Sequence, residues 1–386
     1  MTDRRMLRTW AEIDLDALAH NYRAIRDWTR REEGGPVGLM GIVKANAYGH
    51  GAVPVGRKLQ ELGADMLAVA CLEEAVQLRQ GGITIPILCL GHTPPELAGE
   101  LLDHEITQTV GSLELGRALS QAAVRAGKTL PIHIKLDTGM GRLGFLWREG
   151  SQAGAVEEIK TLCALPGLEA EGLFTHFAWP DEDPDYTELQ ARRLGEAREA
   201  LERAGVRVGR CHCASSAATL FYPWSHMDMI RPGLLMLGHY PHLESQARDQ
   251  LGLRPVMTLK ARVAGVRAMP AGTKVGYGCT AVLERDSRIA VLPIGYADGL
   301  PRNLSNRLKV KLHGTACPLV GRVCMDMCMV DVTDLPQAAE GDTAVIYDGE
   351  LNQVAELAGT ITDELVCRVS ARVPRVYREN GVMISQ

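Results

Sequence analysis

The 386-residue sequence has no apolar run long enough to cross a membrane. Its most apolar stretches, such as ITIPILCLG at residues 83–91, are far shorter than the roughly 20 residues of a spanning helix. The basic start, MTDRRMLRTWAEIDLD, lacks the apolar segment of a signal peptide. A net charge of -5 argues against nucleic acid or an acidic membrane surface as the main partner. These absences predict a cytoplasmic enzyme or binding protein.

The sequence also lacks the cysteine spacings of a metal site. None of its ten cysteines forms a CxxC pair, and the closest group is CHC at residues 211–213. Neighbours in an extended strand point to opposite faces, so Cys211 and Cys213 would point away from His212. Structural zinc needs four converging ligands. We therefore predict no metal site and expect reduced, mostly buried cysteines.

A regular alternation of apolar and helical segments follows the glycine-rich stretch REEGGPVG. Eight short apolar runs, from GLMGIV to MIRPGLLML, alternate with amphipathic stretches such as SLELGRALSQAAVRAG. About eight strands alternating with helices over some 200 residues are typical of a (β/α)8 TIM-type barrel. The alternative, a doubly wound open sheet, would carry GxGxxG after its first strand, and the sequence has no such motif there.

The pattern changes from about residue 250, where β-type runs such as SRIAVLPIGYADG and DTAVIYDG are separated by glycine, proline and aspartate turns. This part predicts a separate, mostly antiparallel β domain. We place the boundary in the polar stretch HLESQARDQ. The predicted domains are a barrel over 1–245 and a β domain over 246–386, with the extreme N-terminus free to pack against the β domain.

Polar residues follow five of the predicted barrel strands, where barrel enzymes carry their functional groups. The first run is followed by Lys44, the fifth carries Lys135 and leads to Arg142, and the later runs are followed by His176, His212, Ser215, Ser216, Arg231 and Gly233. One lysine at a strand end is usually solvated. Five strand ends with converging polar groups predict a site instead.

The chemistry of these groups matches one cofactor. A desolvated lysine can form a Schiff base with an aldehyde. Ser215, Ser216 and the glycine at 233 offer hydroxyl and backbone N–H groups for a phosphate. An arginine such as Arg231 is a group that proteins place against the ring nitrogen of pyridoxal 5′-phosphate (PLP). We therefore predict PLP as the cofactor, with Lys44 as its anchor.

Eight motifs, in this order, resemble the alanine racemase family: VKANAYGHG, IKLDTGMGRLG, FTHFA, HCASSAAT, IRPGLLMLG, VGYG, PIGYADG and GRVCMDM. The resemblance covers nearly the whole chain. It implies a fold-type III PLP-dependent alanine racemase, an isomerase. It also implies a head-to-tail homodimer in which each β domain completes the partner's barrel mouth.

The resemblance implies a role for each matching residue. Lys44 is the Schiff-base lysine and one catalytic base, and Tyr277 of the partner subunit is the other base, on the opposite face of the substrate's α-carbon. Lys135 is the lysine that the family often carries carbamylated. Cofactor contacts are Tyr48, His176, His212, Ser215, Ser216, Arg231 and Gly233. Substrate contacts are Arg142, Tyr296, Met325 and Asp326.

Three residues depart from the family pattern. Asp363 stands where a tyrosine usually contacts the phosphate, so cofactor affinity could be lower. Ala281 and Leu300 stand near the mouth at positions that are often aromatic, which leaves room for serine or larger substrates. The alternatives to alanine racemisation are thus a broader racemase, a fold-type III decarboxylase with a catalytic cysteine, or a non-catalytic PLP-binding protein. Whether the enzyme supplies D-alanine for cell-wall peptidoglycan stays open.

Overall fold

The computed structural model describes residues 7–31, 35–248 and 250–384. The chain divides into two compact units. The barrel unit comprises residues 22–47 and 52–236, and the β unit comprises the residues up to 21, residues 48–51 and the residues from 237 onwards. Strands and helices are numbered along the chain, from β1 at Thr9–Asp14 and α1 at Leu15–Trp28.

The barrel unit contains a nearly closed parallel barrel of eight strands, with the spatial order β10-β2-β3-β4-β5-β6-β8-β9. A short strand, β7 (Phe145–Leu146), pairs with β6 outside this path. The barrel strands are short and mostly buried, as expected for a parallel sheet covered on both faces. They are β2 (Gly38–Ile42), β3 (Met66–Val69), β4 (Ile87–Cys89), β5 (Thr107–Val110), β6 (Leu130–Asp137), β8 (Leu168–Phe174), β9 (Arg210–His212) and β10 (Met229–Ile230).

Helices connect these strands, and their ends follow local sequence signals. In α6 (Leu113–Ala126), the Ser112 hydroxyl accepts a hydrogen bond from Leu115 N–H, and Gly127 ends the helix at a φ of 63°. In α8 (Pro184–Arg203), Asp183 is the capping residue and proline occupies the first turn. The others are α3 (Ala52–Glu61), α4 (Leu72–Gln80), α5 (Ala98–Asp103), α7 (Gln152–Cys163) and α9 (Ser216–Phe221). The element α2 (Lys44–Tyr48) is a left-handed turn.

The β unit is built on a ten-stranded sheet with the order β12-β15-β18-β17-β16-β19-β11-β1-β20-β21. All its pairings are antiparallel except β1 with β20. Its strands are β1, β11 (Met257–Arg262), β12 (Gly265–Met269), β15 (Ser287–Leu292), β16 (Lys309–Leu312), β17 (Thr315–Val320), β18 (Cys328–Asp331), β19 (Thr343–Tyr347), β20 (Arg375–Glu379) and β21 (Val382–Ile384). The barrel and the mostly antiparallel sheet confirm the fold class predicted from the sequence.

Smaller elements complete the β unit. Strands β13 (Lys274–Val275) and β14 (Ala281–Val282) form a two-stranded sheet, and the helices are α10 (Leu243–Arg248), α11 (Leu351–Ala358) and α12 (Thr362–Cys367). Three single 3₁₀ turns, Tyr277–Cys279, Tyr296–Asp298 and Arg302–Leu304, lie in its loops.

In the parts of the chain that the structure describes, no helix is both long and apolar enough to span a bilayer. All ten cysteines lie in these parts and none of them forms a disulfide bond; five of them are buried.

Candidate active site

Lys44 begins an unusual backbone segment directly after β2. Ala45, Asn46 and the following two residues all have φ near +50°, a left-handed conformation that costs an L-residue about 1–2 kcal/mol. Local contacts offset this cost: the Glu74 carboxylate accepts the Ala45 N–H at 2.6 Å, and the Asn46 side-chain oxygen accepts the Ala52 N–H at 2.8 Å. Strained residues of this kind persist only where the surrounding structure holds them, and they cluster at functional sites.

A chain of buried hydrogen bonds leads away from Arg231. Its Nη1 lies 2.9 Å from Nδ1 of His212, and Nε2 of His212 lies 2.8 Å from Nδ1 of His133. A guanidinium can only donate, so His212 accepts at Nδ1, carries its proton on Nε2 and donates to His133. Burial lowers the pKa of His133 to about 3 and that of His212 well below its ordinary value. Both imidazoles are therefore neutral, and Arg231 is the cation of this chain.

The rest of the Arg231 guanidinium is fixed as firmly. Nη2 lies within 3.1 Å of the carbonyl oxygens of Thr175 and Cys213 and of Nδ1 of His176. Burial lowers the Arg231 pKa to about 10, which leaves it charged at neutral pH. Burial and then the Arg231 charge lower the pKa of His176 well below its ordinary value, so it is a neutral acceptor. Among the described residues, Nε of Arg231 has no hydrogen-bond partner.

The structure brings Ser216 and Gly233 together, with Ser215 beside them at the start of α9. The Ser216 hydroxyl oxygen accepts the N–H of Gly233 at 3.0 Å and that of Leu235 at 3.4 Å. A hydroxyl that already accepts two hydrogen bonds still has its own hydrogen to donate. Ser215 uses its backbone carbonyl to begin α9 and makes no side-chain cap bond. Both serines are partly exposed, so their hydroxyls can reach a ligand.

Lys135 is a buried lysine on β6 whose Nζ has no hydrogen-bond partner in the described parts of the chain. Its Nζ lies 4.5 Å from the ring centroid of Phe174. Burial, and then the charges of Arg231 and Arg142, lower the pKa of Lys135 well below its ordinary value. The charge of Asp137 opposes this shift, but Asp137 makes no hydrogen bond to Nζ. Its Oδ1 accepts the two N–H groups of Gly139 and Gly141 in the loop that leads to Arg142.

Phe174 is a site residue that the sequence analysis did not single out. Its ring stacks on His212 at a centroid distance of 4.8 Å and lies under both Lys135 and Arg231. The motif FTHFA drew attention only to His176. The alternation of side chains along β8 places Phe174 on the same face as His176, and that periodicity could have identified it.

In the β unit, Tyr48 is buried and close to α12. Burial raises the Tyr48 pKa, and the negative charge of Asp363 raises it further, as does Cys367. The phenol is therefore neutral and can donate a hydrogen bond. The Asp363 carboxylate therefore opposes ionisation of the Tyr48 phenol.

Tyr277, Met325 and Asp326 line one cleft of the β unit, with a volume of about 730 Å³. Tyr277 is 68% exposed on the turn between β13 and β14, where Gly276 and Gly278 both have positive φ. Tyr296 is also exposed, and its N–H binds the carbonyl oxygen of Cys324, which joins its turn to the one that carries Met325. Of the two departures near the predicted mouth, Ala281 is partly exposed and Leu300 is fully buried.

The sequence of each unit matches a known family domain. The model of the alanine racemase N-terminal domain matches residues 13–241, and that of the C-terminal domain matches residues 256–377. The chain belongs to the alanine racemase family.

Full-length comparisons agree with this. The alanine racemase of Desulforamulus reducens is 44% identical over 374 residues, which cover 95% of this chain and 98% of the relative. The structure of the alanine racemase of Clostridium difficile 630 superposes with a TM-score of 0.91 at 37% identity, over 98% of each chain. That of Bacillus anthracis, solved with bound L-Ala-P, gives 0.88 at 35% identity, over 98% of this chain and 97% of that one.

These comparisons confirm the family and the isomerase class predicted from the sequence. The residues described above are therefore those of a member of the alanine racemase family.

Proposed function

We propose that the chain interconverts L- and D-alanine, with PLP as its cofactor, by a two-base mechanism in a homodimer. Alanine racemisation follows from membership of the family. The observation that supports the proposed cofactor and site is the buried Arg231, which is held by two neutral histidines close to the Ser216–Gly233 pair. We assign Lys44 to the same site: after burial and the charges of Arg231, Lys135 and Arg142, its charge also lowers the pKa of His176.

The residues present fit PLP. Nε of the buried Arg231 cation has no partner among the described residues and suits an acceptor such as a ring nitrogen. Ser216 has a hydroxyl hydrogen to donate, and a phosphate would accept it. Lys44 would anchor the cofactor through Nζ, with cofactor contacts from Tyr48, His176, His212, Ser215, Ser216, Arg231 and Gly233. When bound, PLP supplies an electron sink that stabilises negative charge on the substrate's α-carbon.

The chain's own groups would divide the proton transfer between two faces. Lys44 removes or returns the α-proton on one face, and Tyr277 of the partner subunit does so on the other. The neutral His212 and His133 hold the Arg231 guanidinium in one orientation. Arg142, Tyr296, Met325 and Asp326 would orient the amino acid.

A head-to-tail homodimer accounts for the surface around Tyr277. Tyr277, Met325 and Met327 are large apolar side chains, each about half exposed or more, around one cleft. Contiguous exposed apolar surface of this kind marks an interaction site. In the proposed dimer, the barrel, assigned to residues 1–245, takes its second base from the partner's β domain, assigned to residues 246–386.

We also propose that Lys135 is carbamylated. Burial lowers the pKa of its amine well below the ordinary lysine value, which favours the neutral form, and that is the form reactive towards carbon dioxide. The amine nitrogen forms a bond to the carbon of carbon dioxide and loses a proton to solvent, and the product is an anion near Arg142 and Arg231. After exposure to ¹³C-bicarbonate, a carbamate carbon signal in the NMR spectrum is expected from the wild type and not from Lys135→Met. Its absence from both would overturn the proposal.

The test of the function is racemisation of L-alanine by the PLP-loaded enzyme. Lys44→Ala is expected to lose activity by several orders of magnitude and to lose the visible absorption of covalently held cofactor. Lys160→Ala is the matched control, because Lys160 is an exposed lysine in the last turn of α7 in the same unit. An active Lys44→Ala enzyme would contradict the assignment. A wild type that racemises serine faster than alanine would support the broader-specificity alternative.

A further inference from the structure

The β unit contains a buried carboxylate, Asp298, that is paired with two arginines. The Asp298 side chain is 0% exposed. Its Oδ1 accepts from Nη2 of Arg8 at 2.6 Å and from Nε of Arg372 at 2.8 Å, and its Oδ2 accepts the Gly295 N–H at 2.9 Å. A buried charge persists only when it is paired in this way. The Asp298 side chain is therefore held in one position within the unit.

Arg372 connects the buried Asp298 to the predicted substrate mouth. Its Nη2 donates to Oδ1 of Asp326 at 2.8 Å while its Nε remains on Asp298. One planar guanidinium thus joins a fully buried carboxylate to a half-exposed one. Such charge-assisted hydrogen bonds are short and directional, so they fix position as well as charge.

Backbone hydrogen bonds also hold together the chain segments around Asp298 and Arg372. The N–H of Tyr296 donates to Cys324 and that of Ala297 to Met325, both at 3.0 Å. A Cβ on Gly295 would overlap the carbonyl oxygens of Cys324 and Met325, so the two turns are in tight contact. On the other side, the Ser370 N–H donates to the Asp298 carbonyl at 3.1 Å. Three separate chain segments therefore meet at Asp298 and Arg372.

We propose that Arg372 is a positioning residue for the racemase reaction: by joining Asp298 to Asp326, it fixes the turn that carries Met325 and Asp326 and so sets the affinity for the amino acid. This inference rests on the proposed role of Met325 and Asp326 at the substrate mouth. Arg372 itself touches neither substrate nor cofactor in this account. Arg8 keeps Asp298 paired when Arg372 is replaced, so the unit should still fold.

The experiment compares KM and kcat for alanine in the PLP-loaded wild type, Arg372→Met, Arg372→Lys and Asp326→Asn. Arg372→Met is expected to raise KM about tenfold, as for the loss of one charge-assisted hydrogen bond, with kcat changed much less. Arg372→Lys should recover part of the loss, because an ammonium can contact one carboxylate but cannot span both. Arg372→Met combined with Asp326→Asn should raise KM no further than either change alone.

The matched control is Arg285→Met. Arg285 pairs with Asp334 on the exposed surface of the same unit, so its loss should change neither KM nor kcat. An Arg372→Met enzyme with the wild-type KM would overturn the inference. Additive effects of Arg372→Met and Asp326→Asn would overturn it too, because they would show that the two side chains act independently.

Hydrogen exchange separates this inference from the proposed function. In Arg372→Met, the amides of Tyr296, Ala297 and Cys324 are expected to exchange at least several-fold faster than in the wild type, whether or not the protein racemises alanine. Unchanged exchange at these amides would refute the positioning role. A wild type without racemase activity but with faster exchange in Arg372→Met would refute the function and leave the positioning role standing.

Discussion

At the scale of single residues, burial sets the charge pattern around Arg231. His133, His176 and His212 all have pKa values lowered mainly by burial, and the nearby Arg231 charge lowers them further. Three neutral imidazoles and one cation result. This pattern lets Arg231 be held by hydrogen bonds without being neutralised, so its charge remains available to a ligand.

The same pKa shifts predict a loss of stability in acid. The folded-state pKa of His133 is about 3 and its unfolded value is about 6.5, so the unfolded chain takes up a proton first as the pH falls. The contribution of the neutral His133 to stability is complete above pH 6.5 and is lost progressively towards pH 3. The free energy of unfolding then falls by up to about 1.4 kcal/mol per pH unit. His133→Asn keeps an acceptor for His212 and should flatten the fall of the free energy of unfolding between pH 6.5 and 4.5.

Thermal unfolding at several pH values measures this effect. The control is His92→Asn, because His92 is an exposed histidine of the same unit and its variant should follow the wild-type curve. Parallel curves for the wild type and His133→Asn would contradict the prediction.

The two kinds of site residue differ in how far the sequence could predict them. Lys44, Ser216 and Arg231 lie close after the ends of barrel strands, and the rule that barrel chemistry lies at strand ends is enough to select them. Asp298 and Arg372 are 74 residues apart in the sequence and meet only through the tertiary fold. No periodicity or motif connects them, so their pairing could be found only from the structure.

At the scale of secondary-structure elements, the alternating apolar pattern predicted the barrel, because strands and helices differ in hydrophobic period. The left-handed turn at Lys44–Tyr48 was not predictable in the same way. It contains no glycine, and local propensity opposes it. Long-range contacts such as Glu74 with Ala45 hold it.

Gly51, just after this turn, offers a test at this scale. It has a φ of 102°, and a Cβ there would overlap the hydroxyl oxygen of Tyr377, which donates to the His50 carbonyl. Gly51→Ala combines backbone strain with a steric clash and should lower the free energy of unfolding by about 3 kcal/mol or more.

Two other glycines serve as controls for Gly51→Ala in chemical denaturation. Gly359 has a φ of 66° and open space around it, so Gly359→Ala carries the strain alone and should cost about 1 kcal/mol. Gly99 has neither a positive φ nor a close neighbour, so Gly99→Ala should be nearly neutral. Equal losses for Gly51→Ala and Gly359→Ala would show that the clash with Tyr377 does not matter.

At the scale of the whole molecule, the proposal that two subunits share each site predicts complementation. Lys44→Ala and Tyr277→Phe are each expected to form inactive homodimers. In a mixed dimer, one site carries both substitutions and the other carries neither, provided that Lys44 and Tyr277 of one site come from different subunits. Refolding an equal mixture should then restore about a quarter of the wild-type activity.

The outcome depends directly on the arrangement of the subunits. If Lys44 and Tyr277 of one site came from the same chain, every site in the mixed dimer would carry one substitution, and no activity would return. Refolding each variant alone is the control, and neither preparation should regain activity.

The central claim is that two different groups remove and return the α-proton of alanine. The most direct test is to incubate the PLP-loaded enzyme with L-alanine in heavy water and to measure deuterium at the α-carbon of both enantiomers early in the reaction. Two bases predict that D-alanine forms with deuterium at its α-carbon while the remaining L-alanine stays largely protonated. Equal early deuteration of both enantiomers, or no D-alanine at all, would contradict the account.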